Sequence, residues 1–509
     1  MKPLLRTSLL KNIDSLLVAA IGFCVIFLYT RHGGIGISPD SITYLSTARN
    51  MNAGKWPVVY DDMQLILFPV FYPTFLGSVM FVTGVDAFTM GPILNGLLFG
   101  LVIFLSGYIM EHFMFRSKWY KWIILLCIAF SPAMHDIFSM LWSETLFAVW
   151  VLLFFIAQKK YFATHRTSAL IWLAVIAALT CITRYAGVTL VATGGLLLLL
   201  DKQLPRKKKL LHIVLFGAIG ISLLAINLVV NAKVTGMLTG MRQKSLTPLN
   251  KNIEYFGDVL CDWFTFLVNH YTFAFWIGLI LLIVFIVVFL YRALTFSHYY
   301  SYENISLAFF LVYGLFIIIS STLSRYEQIN NRLLSPIYIP FLFAISYAIP
   351  RRIAQAGKTK WLQLTVAIMV AVLFLYNQLA TDQVTYKNVR EGGIGGYTED
   401  TWTQSPTVQF LQAHKEILND DKTVYSNASH ALYFLTGKGT ETLPERVHDQ
   451  EVKGFYSEDN FYIIWFNYED NVDLLNLREI AGKMKMDTIH TFPDGAIFFC
   501  RNYAAMQHR

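Results

Sequence analysis

Residues 31–88 read RHGGIGISPDSITYLSTARNMNAGKWPVVYDDMQLILFPVFYPTFLGSVMFVTGVDAF. Ser38-Pro39-Asp40 opens a helix: Pro39 fixes the first-turn backbone, and Ser38 or Asp40 can cap it. Ile42, Leu45, Ala48 and Met51 then recur at helical spacing until Gly54 stops the run, which predicts an amphipathic helix lying in a membrane interface. A second apolar stretch, 65–82, is interrupted by Pro69 and Pro73 and reads as re-entrant or surface-lying rather than spanning. Asp40 has two readings at this point, a helix cap or a carboxylate held at the membrane surface beside a cavity.

The rest of the chain fits a membrane setting. Of 509 residues, 55% are hydrophobic and only 15% charged. Soluble proteins carry about 25% charge, so this chain cannot cover the surface of one or two soluble domains. That excludes an ordinary cytosolic enzyme, a disordered chain and a nucleic-acid binder. Eleven apolar segments are candidate spans: 12–30, 89–112, 121–134, 140–157, 169–183, 187–200, 210–230, 271–291, 304–322, 333–349 and 361–380. Several are short, which suits a bundle around a cavity. The first lacks a small-residue cleavage site and is read as a span, not a signal peptide. The fold class expected is therefore an α-helical polytopic membrane protein of about 11 transmembrane helices, with a small C-terminal α/β domain. Residues 1–380 would form the transmembrane domain and 381–509 an extracytoplasmic one.

Basic residues orient the spans. One alternate set of loops holds 19, including Lys2, Arg6, Lys11, Arg116, Lys121 and the run Lys207–Lys209; the intervening loops hold 10. The richer set is assigned to the cytoplasm, which puts the N-terminus inside and the C-terminus outside a plasma (inner) membrane. The outward basics that defy this bias are Arg184, Arg242, Lys244, Arg325 and Arg332. They read as phosphate ligands or as side chains snorkelling to headgroups. The net charge of +8 divides as 29 basic against 14 acidic residues in 1–380, and 12 against 19 in the tail. It therefore reflects a topology signal plus an acidic outer domain. The cysteines Cys24, Cys127, Cys181, Cys261 and Cys500 form no C-x-x-C pair; three sit in apolar runs and read as small buried hydrophobes.

The tail opens with a Gly-rich linker, 391–396, and alternates helix and strand. Residues 408–417, 431–435 and 472–484 read as helices, 423–426 and 461–466 as strands, and 488–501 as a hairpin turning at Pro493-Asp494-Gly495. It carries no nucleophile motif or phosphate loop.

Several motifs then resemble one family. Ser38-Pro39-Asp40-Ser41, with Tyr44-Leu45, Ala48-Arg49-Asn50, Gly54-Lys55-Trp56 and Phe68-Pro69-Val70-Phe71-Tyr72-Pro73, is similar to the first outer loop of polyprenyl-phosphate-dependent GT-C glycosyltransferases, the class of protein O-mannosyltransferases and aminoarabinose transferases. Trp142-Ser143-Glu144-Thr145-Leu146-Phe147, Thr183-Arg184-Tyr185-Ala186-Gly187 and Asn331-Arg332-Leu333-Leu334 resemble span-entry motifs of the same class. Residues 424–427 and 432–437 resemble the outer domain of bacterial members. The chain departs from both named branches in following Asp40 with Ser41, not a second acid.

The resemblance implies an inverting transfer of a sugar from a polyprenyl-phosphate donor to an extracytoplasmic lipid, glycan or protein acceptor. It matches Asp40 to the catalytic base. Tyr44, Asp136 and Glu144 become candidates for acceptor and active-site support, each with a plain alternative: an interfacial aromatic for Tyr44, a helix-start charge for Glu144. Arg184, Tyr185, Arg332, Arg325 and Lys244 become candidates for the donor phosphate. His135 reads as structural rather than as a metal ligand. Members differ in using a divalent cation, which stays open here. The other partners expected are membrane lipids; no nucleic acid is expected. Two further readings remain: a lipid-linked saccharide flippase, against which stands the lack of an internal repeat, and a glycan ligase using a pyrophosphate carrier.

Overall fold

A computed structural model describes residues 12–114, 117–240, 242–264, 271–346, 348–419, 421–469 and 471–502. Lys2, Arg6, Lys11 and Arg116, counted in the charge signal, lie outside the described residues. The chain divides into two compact units: Met1–Arg31 with Gln64–Arg390, and His32–Met63 with Glu391–Arg509.

The first unit is helical. All eleven segments expected to span are helices. Seven are long and apolar enough to cross a membrane. An eighth span is completed if Lys118–Ala129 and Pro132–Phe138, bent by 50°, are one. The remaining three, Ile13–Tyr29, Thr167–Thr183 and Val188–Leu200, have 17, 17 and 13 residues, about 20–26 Å against a hydrocarbon core of about 30 Å. The chain is thus a multi-pass membrane protein. Burial ranks its spans: 82% of the best window in Asn331–Ile353 is buried, against 6% in Gly357–Gly392. The motif-bearing span is central, whereas the last presents Trp361, Leu362 and Leu373 outward as a lipid-facing helix does.

Two local expectations change. Pro73 does not break the apolar stretch; it is the third residue of Phe71–Thr83, where a missing N–H costs no helical bond. A second helix stands where the sequence suggested only a loop: Leu249–Trp263 follows Pro248 and buries Phe256, Val259, Leu260 and Trp263.

The second unit holds one five-stranded sheet, ordered β2 (Glu441–Thr442), β1 (Val424–Ser426), β3 (Asn460–Phe466), β5 (Gly495–Asn502), β4 (Met484–Thr491). The β1–β2 and β1–β3 pairs are parallel, the rest antiparallel. Asn427 ties β1 to the end of β3 by donating to the Phe466 carbonyl at 2.9 Å and accepting from the Phe466 N–H. The helix expected over 472–484 shrinks to Leu477–Ala481, boxed by Asn476 and Glu479. Met484 already belongs to β4, whose pairing with β5 outweighs local helical preference. The Gly-rich linker starts two residues late, because Lys360–Gly392 runs through Glu391 and Gly392. Gly396 has φ +98°, and a Cβ there would lie 2.2 Å from the Ile37 carbonyl. Only glycine lets Tyr397 N–H bond that carbonyl at 2.8 Å and close 391–397 onto 32–38.

Candidate active site

The motifs W-S-E, T-R-Y and N-R converge in the helical unit. Ser143 precedes Glu144–Thr164, so Glu144 starts that helix, where a negative charge meets the positive end of the macrodipole. Thr167–Thr183 ends on Arg184, and a tight turn follows in which Gly187 N–H bonds the Arg184 carbonyl at 2.8 Å. A Cβ on Gly187 would lie 2.4 Å from the Thr180 carbonyl, so glycine is required for the turn to fold back on its helix. Arg332 is the second residue of Asn331–Ile345, whose N-cap is Asn330. Pro336 cannot bond the Arg332 carbonyl, and the Ser335 hydroxyl donates to it instead at 2.9 Å.

Glu144 joins both cations. Its side chain is fully buried; Oε2 lies 2.5 Å from Arg184 Nη1 and Oε1 lies 2.7 Å from Arg332 Nε. Arg184 Nη1 also donates to Ser143 Oγ at 2.8 Å. The Arg332 guanidinium lies 4.3 Å from the Trp142 ring centroid and reaches Glu327 at 3.7 Å. Asp136 is exposed and accepts from Asn331 Nδ2 at 3.2 Å; Asn331 in turn accepts from Trp263 Nε1 at 3.0 Å. At the buried core of this site two guanidiniums share one buried carboxylate, with the more exposed Glu327 beside Arg332. Tyr185 donates to the Ile66 carbonyl at 3.0 Å. Lys244 and Arg325 sit together elsewhere: Lys244 pairs with Ser324 in a β-bridge, and Arg325 bonds Gln243 through backbone and side chain. Both are exposed.

His135 is structural in geometry. Nδ1 lies 2.6 Å from Asp382 Oδ1 and Nε2 lies 2.7 Å from the Ala129 carbonyl, while Tyr29 donates to the same Asp382. The sequence reading missed Asp382. It lies just past the last apolar run, and an acid beside a span is the signal that could have found it. Among the described residues no group of three or more His, Cys, Asp or Glu side chains gathers as a metal site requires.

Asp40 and Tyr44 belong to the second unit. Ser38 is the N-cap of Pro39–Asn52, and Ser38 and Ser41 close a reciprocal capping box. Asp40 therefore stands in the first turn without serving as the cap. The helix is not the surface-lying amphipath expected: 41–48 are all buried, Tyr44 to 1% exposure. Its polar residues tolerate burial because they are small and bond backward, Thr43 to the Pro39 carbonyl and Ser46 to the Thr43 carbonyl.

Helix Ser429–Thr436 packs near Pro39–Asn52. Burial pushes His430 below its ordinary range against the pull of Asp61 and Asp40, so its imidazole is neutral at pH 7. His430 meets Tyr60 edge-on at 5.5 Å between centroids, and Tyr433 stacks on Tyr60 at 4.7 Å. Burial raises the Tyr60 hydroxyl to about 12.

No family model and no curated protein matches the chain. Solved structures do. ArnT from Cupriavidus metallidurans in the apo state superposes with a TM-score of 0.56 at 14% identity, over 95% of this chain and 97% of that one. The same protein bound to undecaprenyl phosphate gives 0.56 at 12% identity, over the same shares. AglB from Archaeoglobus fulgidus, an archaeal oligosaccharyltransferase in complex with an inhibitory peptide and a dolichol-phosphate, gives 0.52 at 10% identity, over 89% of this chain and 69% of that one. The likeness runs nearly end to end, and the fold is the GT-C fold that the motifs resemble.

Proposed function

We propose that the chain is an integral-membrane glycosyltransferase that moves a sugar from a polyprenyl-phosphate donor to an extracytoplasmic acceptor, with inversion. The observation that carries this reading is the fold shared over 95% of the chain with a protein whose structure holds undecaprenyl phosphate.

In the reaction, Asp40 accepts the proton of the acceptor hydroxyl as its oxygen attacks the anomeric carbon. The bond from that carbon to the phosphate oxygen breaks, and the electron pair leaves with the polyprenyl phosphate. Arg184 and Arg332 hold that phosphate, and their guanidiniums favour the transition state in which negative charge builds on the leaving group. Asp40 stands in the first turn of a helix whose cap is Ser38, at the position that the resemblance matches to the base. The N-terminus lies in the cytoplasm and the sheet-bearing unit outside in this reading.

The test incubates purified protein with undecaprenyl-phosphate-linked pentoses and hexoses and a lipid acceptor extract. Asp40→Asn should bind undecaprenyl phosphate normally and lose sugar transfer. Full transfer by a folded Asp40→Asn protein would remove Asp40 as the base. Movement of the donor across a bilayer with no new glycosidic bond would replace the enzyme by a flippase.

A further inference from the structure

A cleft of about 430 Å³ opens in the sheet-bearing unit between the turn at 59–63 and the edge strand β2. Its size falls within the range of small-ligand pockets, roughly 300–1,000 Å³. Tyr60, Asp61, Asp62, Lys422, Lys438 and Glu441 line it, so its wall combines an aromatic ring, three carboxylates and two ammonium groups. Thr440 lines it too. This residue is 5% exposed, and its hydroxyl has no hydrogen-bond partner among the described residues. A buried hydroxyl left unpaired is disfavoured, and a ligand hydroxyl reaching it removes that cost.

The wall is preorganised. Tyr60 donates to Ser429 Oγ at 3.1 Å, and Ser429 bonds Thr442 Oγ1 at 2.6 Å. Tyr433 backs the Tyr60 ring. The turn is fixed by Val59 N–H bonding the Met63 carbonyl at 2.8 Å, by Asp61 accepting from Met63 N–H at 3.0 Å, and by the Lys55–Asp62 ion pair at 2.9 Å. A Cβ on Gly439 would lie 3.1 Å from the Tyr60 carbonyl, so the two sides of the cleft meet closely behind it.

We propose that this cleft is a saccharide-binding site. Carboxylates accept from sugar hydroxyls, ammonium groups and the Thr440 hydroxyl donate to sugar oxygens, and the Tyr60 ring takes an apolar C–H face. Lys55 neutralises Asp62, so Asp61 and Glu441 balance Lys422 and Lys438 and the cleft carries no net charge, which suits a neutral sugar better than a phosphorylated or acidic one. His430 packs edge-on against Tyr60, the aromatic ring of the cleft. Resting on the glycosyltransferase reading, the cleft holds the sugar portion of the acceptor.

The test uses full-length protein in nanodiscs, without donor, and saturation-transfer NMR with maltotetraose, cellotetraose and chitotetraose; inorganic phosphate and glucose 1-phosphate serve as the anionic arm. Wild type should bind at least one neutral tetrasaccharide. Asp61→Asn with Glu441→Gln should weaken it about tenfold, the effect of losing a hydrogen bond to a charged group. Thr440→Val should weaken binding while leaving the thermal midpoint equal or higher, which a purely structural hydroxyl would not do. Three results would overturn the proposal: no binding of any neutral tetrasaccharide, equal binding by folded variants, or binding of the anionic probes alone. Binding without transfer would leave the cleft standing and sink only the glycosyltransferase reading; transfer with no saccharide binding would do the reverse.

Discussion

The two ends of the helical unit carry ion triads of opposite sign. At one end Lys121 lies between Asp14, at 2.9 Å, and Glu111, at 2.5 Å. At the other, Glu144 lies between Arg184 and Arg332. In the first the central ammonium is buried but the outer acids are 18% and 31% exposed, so water relieves the surplus negative charge. In the second the carboxylate is fully buried and the guanidiniums are only 15–16% exposed. Its positive charge is therefore less hydrated, and Arg332 additionally sits in the first turn of its helix, where the macrodipole disfavours a cation. The first triad reads as finished structure. The second is the less hydrated of the two, and in the proposed reading it is where the donor phosphate would bind.

Removing the centre of each triad separates these descriptions most sharply. Glu144→Gln leaves two buried guanidiniums facing one another and should cost about 3–5 kcal/mol, seen as a large drop in the thermal midpoint of the detergent-purified protein. Undecaprenyl phosphate should restore part of that loss. An unchanged midpoint would mean that the triad does not hold its helices. Next in size, Arg332→Ala should lower transfer about a hundred- to a thousandfold, the effect of deleting one charged group at a developing anion. Near wild-type rates for Arg332→Ala would move the phosphate away from this residue. Lys121→Met tests the other end: the acids it abandons stay hydrated, so the cost should be about 2 kcal/mol with transfer rates preserved. A loss of transfer without unfolding would overturn the assignment of that end as structural.

The comparison also shows what the sequence could carry. Seven spans, or eight with the bent pair, were legible because long apolar runs need no partner to be recognised. Glu144, Arg184 and Arg332 were each legible as motif residues, but their convergence was not: Arg332 and Glu144 are 188 residues apart and meet only through packing. The ion pairs of Lys121 were hidden for the same reason. The positive-inside rule counts a lysine by its loop, whereas here it is 3% exposed between two acids. The resemblance led to Asp40, yet its helix was read as surface-lying because only Ile42, Leu45, Ala48 and Met51 mark an apolar face and the residues between them are polar. The structure buries them through bonds to their own backbone. Tyr60, Asp61 and Thr440 had no signal at all, since the cleft exists only where 59–63 meets β2.

The smallest expected effect lies at Trp142, and it sharpens the contrast most finely. The first triad has no aromatic partner at its lysine among the described residues; in the second the Trp142 ring faces the Arg332 guanidinium at 4.3 Å. A partly desolvated cation–π contact of this kind contributes about 1 kcal/mol. Trp142→Leu keeps the apolar bulk and removes the ring face, so the protein should remain folded with only a small shift in its midpoint. If the ring serves to orient Arg332 toward the donor phosphate before and during transfer alike, the loss falls on uniform binding: KM for the donor should rise about fivefold while kcat stays nearly constant. A fall in kcat with unchanged KM would mean that Arg332 adjusts during the reaction, and the orientation set by Trp142 would then belong to the transition state.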